Sequence, residues 1–203
     1  MKDGVIKFDL RWQRASPPDD IEALMHWRDK MRAAGLIGVY PDGIGYGNIS
    51  VRAGTCFVIS GSGTGVHPEA CAEHFTRVVA YDFRANALSC RGPVPASSES
   101  LTHAAVYEAD PSASAVIHVH HRELWRALLH DIPTTAMNVA YGTPEMAYEV
   151  LRLFRDTHVA DGKVFVLGGH RDGIVAFGES LEEAGTTLLH MLESRTGTAR
   201  DGC

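Results

Sequence analysis

Basic residues are in the minority in this chain, with Lys and Arg numbering 19 against 25 Asp and Glu for a formal charge of −6. They are scattered rather than clustered, which excludes the basic surface needed to follow the phosphates of a nucleic acid. Long apolar runs are also missing. No stretch approaches the length of about 20 residues that a membrane span requires, and Met1 to Phe8 carries no signal-peptide core. Cysteine is sparse, at positions 56, 71, 90 and 203, with no Cys-x-x-Cys spacing. A disulfide scaffold is therefore not expected, the thiols should be reduced, and Cys203 falls in a loose tail. There is no internal repeat, low-complexity block or linker. What these absences leave is a soluble, cytoplasmic protein of one domain over residues 1–203, whose 45% hydrophobic content suffices for a sizeable core.

What is present concentrates in Ser97 to His121. The second half, Ala115 to His120, is apolar, rich in β-branched residues and preceded by Pro111 and Ser112, the pattern of a buried strand. Alternation along a strand puts Val116, His118 and His120 on one face and Ala115, Ile117 and Val119 on the other. Two imidazoles then share one space, as a tetrahedral metal ion needs of two ligands. Ahead of them, Ser97, Ser98 and Glu99 precede a helix from about Ser98 to Ala109, where caps and free backbone N–H groups attract anions. The turn at Asp110 and Pro111 can return Glu99 toward the histidines. Each piece has a plainer reading: buried histidines also serve as hydrogen-bonded core residues, and Ser-Ser-Glu is a common helix start with an acid in its first turn.

The rest of the chain alternates helices and strands. Val5 to Leu10 reads as a short strand. A helix from the Pro17-Pro18-Asp19-Asp20 start signal to about Ala34 packs through Leu24, Trp27 and Met31. A Gly-rich segment leads into a strand from about Asn48, and Cys56 to Ser60 pairs with it as a hairpin. Gly47 and Asn48, and then Ser62 and Gly63 within Gly61-Ser-Gly-Thr-Gly65, lie in loops whose backbone can approach and cradle a phosphate, although short Gly-rich loops are also ordinary turns. Arg77 to Asp82 and Ala87 to Cys90 form another strand pair. Glu123 to His130 reads as a helix, Thr143-Pro144 starts the next, Lys163 to Leu167 and Ile174 to Phe177 are strands, and a last helix begins at Ser180.

His170 occupies the Gly168-Gly-His-Arg-Asp-Gly173 turn between two apolar strands and is the best third metal ligand. His121 should face away from His118 and His120. His26, His67, His74, His130, His158 and His190 have polar or helical surroundings that suit surface or packing roles. His103 lies four residues beyond Glu99 on one helical face, placed either to hydrogen-bond it or to sit on the helix surface.

Taken in order, Gly-Asn-Ile-Ser-Val-Arg, Ile-Ser-Gly-Ser-Gly-Thr-Gly, Ser-Ser-Glu, Ala-Val-Ile-His-Val-His, Gly-Gly-His with Gly-Ile-Val-Ala, and Ser-Leu-Glu-Glu-Ala resemble the class II aldolase/adducin family over roughly Ala23 to Leu192. The resemblance implies an α/β fold, a three-layer α/β/α arrangement around a central, largely antiparallel sheet, in a homotetramer with active sites at subunit boundaries. It implies one zinc ion, or another divalent metal, per chain, held by His118, His120 and His170, with Glu99 as catalytic acid/base and fourth ligand. Gly47, Asn48, Ser62, Gly63, Ser97 and Ser98 match the positions that hold a substrate phosphate. The implied reaction is aldol cleavage or formation in a phosphorylated ketose or related hydroxy-carbonyl compound through a metal-stabilised enediolate. Epimerase and dehydratase chemistry, or a non-catalytic adducin-like binding module, are the alternatives; Glu rather than Asp after the two serines is closer to the aldolases and dehydratases. Two departures stand out. Arg171 and Asp172 separate His170 from Gly173, where the family has Gly directly after His, and the family's catalytic tyrosine would fall near Asn138, with Tyr141 three residues on.

Overall fold

The computed structural model describes residues 4–196; Met1 to Asp3 and the tail that includes Cys203 lie outside the described residues. The chain order is β1 (Asp9–Arg14), α1 (Glu22–Ala33), β2 (Gly38–Val39), β3 (Gly45–Tyr46), β4 (Asn48–Ala53), β5 (Cys56–Ser60), β6 (Phe75–Asp82) and β7 (Ala87–Gly92). There follow α2 (Ser100–Ala109), β8 (Ala115–His120), α3 (Arg122–Leu128), α4 (Pro144–Asp156), α5 (Val159–Gly162), β9 (Val164–Val166), β10 (Gly173–Gly178) and α6 (Leu181–Thr196). Eight strands form one sheet in the order β1-β7-β6-β5-β4-β8-β10-β9, and β2 and β3 pair separately as a short hairpin. Every pairing in the large sheet is antiparallel except that of β1 with β7.

The central strands β8 and β10 are buried on both faces and read as near-continuous apolar runs, whereas β1 at the edge is largely exposed. On one face Val116, Phe57, Ile59 and Val175 pack with Leu101, Ala104 and Ala105 of α2 and Met146, Val150 and Leu153 of α4. On the other, Ala115, Ile117, Val119, Ile49 and Ile174 pack with Leu24, Trp27 and Met31 of α1, Leu124 of α3, and Ala184 and Leu188 of α6. This is the expected three-layer α/β/α arrangement. The stripe of α1 is apolar at helical spacing, and the alternation of β8 divides between the two cores as a pleated strand requires.

The first strand is displaced from the expected Val5 to Leu10. It runs from Asp9 to Arg14, where Leu10 pairs with Leu88 and Trp12 with Cys90. Its position is set by a partner some eighty residues away, and no local periodicity encodes that register. The helix start at Thr143 is as expected, with its hydroxyl accepting from the Met146 N–H. Ser180 likewise accepts from the Glu183 N–H ahead of α6. Ser97 and Ser98, by contrast, lie outside α2, which begins at Ser100 with Glu99 in the capping position and no side-chain cap bond.

Candidate metal centre

β8 lies between β4 and β10, with His118 opposite Asn48 on one side and Val175 on the other. His118 and His120 both project from the α2 and α4 face. Beyond β9 the chain turns back through a tight loop in which the Gly173 N–H donates to the His170 carbonyl (2.9 Å) and the Leu167 N–H to the Gly173 carbonyl (3.0 Å). The two residues that separate His170 from Gly173 are accommodated there because Asp172 takes a left-handed conformation (φ 68°). Gly169 is required: a Cβ at that position would lie 1.7 Å from the Val139 carbonyl oxygen. The loop thereby carries His170 over the end of β8.

The three imidazoles meet as the spacing predicts. One nitrogen from each of His118, His120 and His170 lies within 4.8 Å of the others, the ring centroids are 4.6 to 5.1 Å apart, and all three side chains are buried. Burial, followed by the neighbouring imidazoles of His120 and His170, holds His118 well below the ordinary histidine range. It is therefore neutral at pH 7, the form that ligates metal. Its Nε2 is buried with no hydrogen-bond partner, and so is the side-chain oxygen of Asn48, whose amide nitrogen lies 3.2 Å from His118 Nδ1. Turning that amide end for end would let its oxygen accept a hydrogen bond from the Nδ1–H and leave the Nε2 lone pair for an ion. A buried, neutral, unpartnered nitrogen beside two further imidazoles fits a divalent metal of the zinc type.

Glu99 is almost fully buried. Its Oε1 lies 3.6 Å from His170 Nδ1, and Thr102 donates to its Oε2 at 2.7 Å. The placement at the start of α2 favours a carboxylate through the helix dipole. Gly47, Asn48, Ser62, Gly63, Ser97 and Ser98 line the same cavity as Glu99, His118, His120 and His170. All ten residues singled out in the sequence are therefore brought together.

Other positions differ from expectation. His103 neither bonds Glu99 nor lies on the helix surface; it is fully buried, with its Nδ1 2.7 Å from Ser50 Oγ, which in turn bonds the Tyr107 hydroxyl at 2.8 Å. Thr102, one residue earlier, takes the contact with Glu99 because α2 turns His103 toward β4. Asn138 is exposed, while Tyr141 is buried and stacks on His170 at 4.5 Å with 26° between the rings. His121 faces away from the pair as expected, and its Nδ1 accepts from the Leu124 N–H to cap α3. Tyr40 is not legible in the sequence. It follows β2 and places its hydroxyl 2.7 Å from His120 Nδ1; its one sequence signal is an aromatic ring beside the Pro41-Asp42-Gly43 turn.

Burial lowers the pKa of His103 to about 3, against about 6.5 for an unfolded histidine. As pH falls from about 6.5 toward 3, the unfolded chain gains a proton that folded His103 does not, so stability should decline across that window. A His103→Asn variant should show a fall shallower by up to about 1.4 kcal/mol per pH unit. Urea denaturation of both proteins at several pH values checks this, and parallel slopes would contradict it.

The fold agrees with comparisons to known proteins. The description "Class II Aldolase and Adducin N-terminal domain" matches residues 42–195. The chain belongs to that family. Among solved structures it is similar to L-fuculose-1-phosphate aldolase from Thermus thermophilus, with 24% identity, a TM-score of 0.63 and coverage of 87% of this chain and 91% of that one. It is also similar to YgbL from Klebsiella pneumoniae, with 17% identity, a TM-score of 0.66 and 90% of both chains covered. Sugar-phosphate aldolase from Thermotoga maritima is 14% identical, with a TM-score of 0.63 and 89% of this chain and 93% of that one covered. At these identities the likeness is one of fold. No curated protein sequence matches the chain significantly. Among the described residues no helix is long and apolar enough to cross a membrane.

Proposed function

We propose that the chain is a zinc-dependent aldolase acting on a phosphorylated ketose or related small hydroxy-carbonyl compound, in the homotetramer that the family resemblance implies. The observation that carries this reading is the three-histidine cluster with Glu99 buried beside it, opening onto loops rich in glycine and serine. His118, His120 and His170 would hold the ion, with Glu99 within reach of it. When bound, the ion would supply the positive charge that polarises a carbonyl and makes its neighbouring hydroxyl more acidic. Glu99 takes up and returns the proton as the carbon–carbon bond breaks or forms, and the Thr102 hydroxyl keeps one carboxylate oxygen oriented while the other faces the reacting atoms. A binding module would have no need of three imidazoles and a carboxylate gathered in one buried space, where His118 Nε2 has no hydrogen-bond partner and weighs against folding unless a ligand engages it.

The phosphate is held by backbone N–H groups and hydroxyls of the loops around Asn48, Ser62 and Ser98 rather than by a basic patch. The cavity they line is open to solvent, and Gly4 forms part of its lining. Inorganic phosphate should compete with substrate. Ser62→Asp and Asn48→Asp each put a negative charge in the cradle and should raise KM for a phosphorylated substrate by about tenfold or more. Steady-state kinetics on the two variants tests this; an unchanged KM would put the phosphate elsewhere or remove it from the substrate.

A further inference from the structure

A second cavity, of about 460 Å³, lies against the outer side of the histidine cluster and is lined by Tyr40, Arg122, Tyr141, Gly169, His170, Arg171 and Asp172. It meets the cluster through His170 itself and through Tyr40, whose hydroxyl bonds His120. The phosphate loops line a different cavity, so a substrate lying across the histidines would place one end in each.

The charge on this wall follows from the sequence. Arg122 comes two residues after His120 and opens α3, while Arg171 directly follows His170, so the segments carrying two of the three imidazoles each contribute an arginine to the lining of the same space. Asp172 is the acidic group there. Its Oδ1 lies 3.8 Å from Arg171 Nε, too far for a hydrogen bond. The lining thus holds two arginines and one acid, a net positive charge, and guanidinium N–H donors match a planar carboxylate. A neutral hydroxymethyl or aldehyde end gives them nothing to neutralise.

We infer that this cavity binds a carboxylate, and that the substrate is a sugar acid carrying phosphate at one end and a carboxylate at the other. The inference deepens the reading under Proposed function and rests on it. The phosphate lies among the glycine loops, the hydroxy-carbonyl carbons lie at the histidines, and the carboxylate is paired with Arg122 and Arg171.

Calorimetric titration of the zinc-loaded protein tests it without requiring turnover. Terminally phosphorylated aldonates of three to six carbons are each compared with the alditol phosphate of the same length, which differs only in having a hydroxymethyl group in place of the carboxylate. At least one aldonate phosphate should bind about tenfold or more tightly than its alditol partner. In the Arg122→Ala/Arg171→Ala protein the ratio should collapse to within about twofold. The single Arg122→Gln and Arg171→Gln variants, each expected to reduce the ratio, provide the same reading if the double variant does not fold. Alditol phosphates that bind as well as the acids at every length, or a preference that survives loss of both arginines, overturn the carboxylate site and leave the phosphate reading intact. Failure of every phosphorylated compound to bind overturns both.

Discussion

Replacement of His118 by alanine should abolish stoichiometric zinc binding. In the proposed site each imidazole would contribute one of the ion's few bonds, and His118 is the one whose condition in the folded chain is most costly without an ion. Its Nε2 is buried and unpartnered, and burial keeps it neutral, so it gains no charge to attract other partners. Removing it leaves His120 and His170 with Glu99, and the affinity for zinc should fall by about 100-fold or more. Equilibrium dialysis against a competing chelator measures the change. A variant that binds zinc as tightly as the parent would show that His118 is not a ligand and that the ion sits elsewhere. The fold itself should tolerate the change better than loss of an apolar residue of this size, because the side chain removed is one whose desolvated nitrogen already weighs against folding.

Glu99→Gln should fold, hold its metal and turn over substrate about 100-fold or more slowly. The amide keeps the shape of the carboxylate and can still be oriented by Thr102, which donates to Oε2 at 2.7 Å, but it cannot accept and return a proton. Because three imidazoles remain, zinc affinity should drop only moderately. Metal content and turnover are read on the same sample. Retention of both would reduce Glu99 to a helix-start residue, and loss of metal would make it chiefly a ligand.

The parts of this site that can be read from the sequence are those fixed by short-range pattern. The run from Ala115 to His120 sets its own pleat, so the shared face of His118 and His120 follows from alternation alone, and both cores confirm the division. His170 can be found because glycines on both sides of it permit the turn that presents it. His103 is misplaced by sequence alone because helical spacing puts it near Glu99 but cannot say that β4 passes beneath with Ser50 as its partner. The first strand is misplaced for a related reason: its register with β7 depends on residues far along the chain. Tyr40 escapes a sequence reading, since its contact with His120 joins two segments whose meeting is a property of the whole fold. The second cavity is an intermediate case. Arg171 stands out as a departure from the family's turn, but its place beside Arg122 is evident only once α3 and the His170 loop share a wall.

The central claim is that the histidine cluster is a metal centre used for chemistry on a phosphorylated hydroxy-carbonyl compound. Its most direct test is zinc content measured together with aldol cleavage of a panel of ketose and sugar-acid phosphates, on one preparation of the wild-type chain. The account predicts about one zinc per chain, cleavage of at least one phosphorylated member of the panel, loss of that activity on chelation and its return with added metal. Protein that takes up neither zinc nor cobalt nor manganese, or that cleaves its substrate equally well after complete chelation, would contradict it.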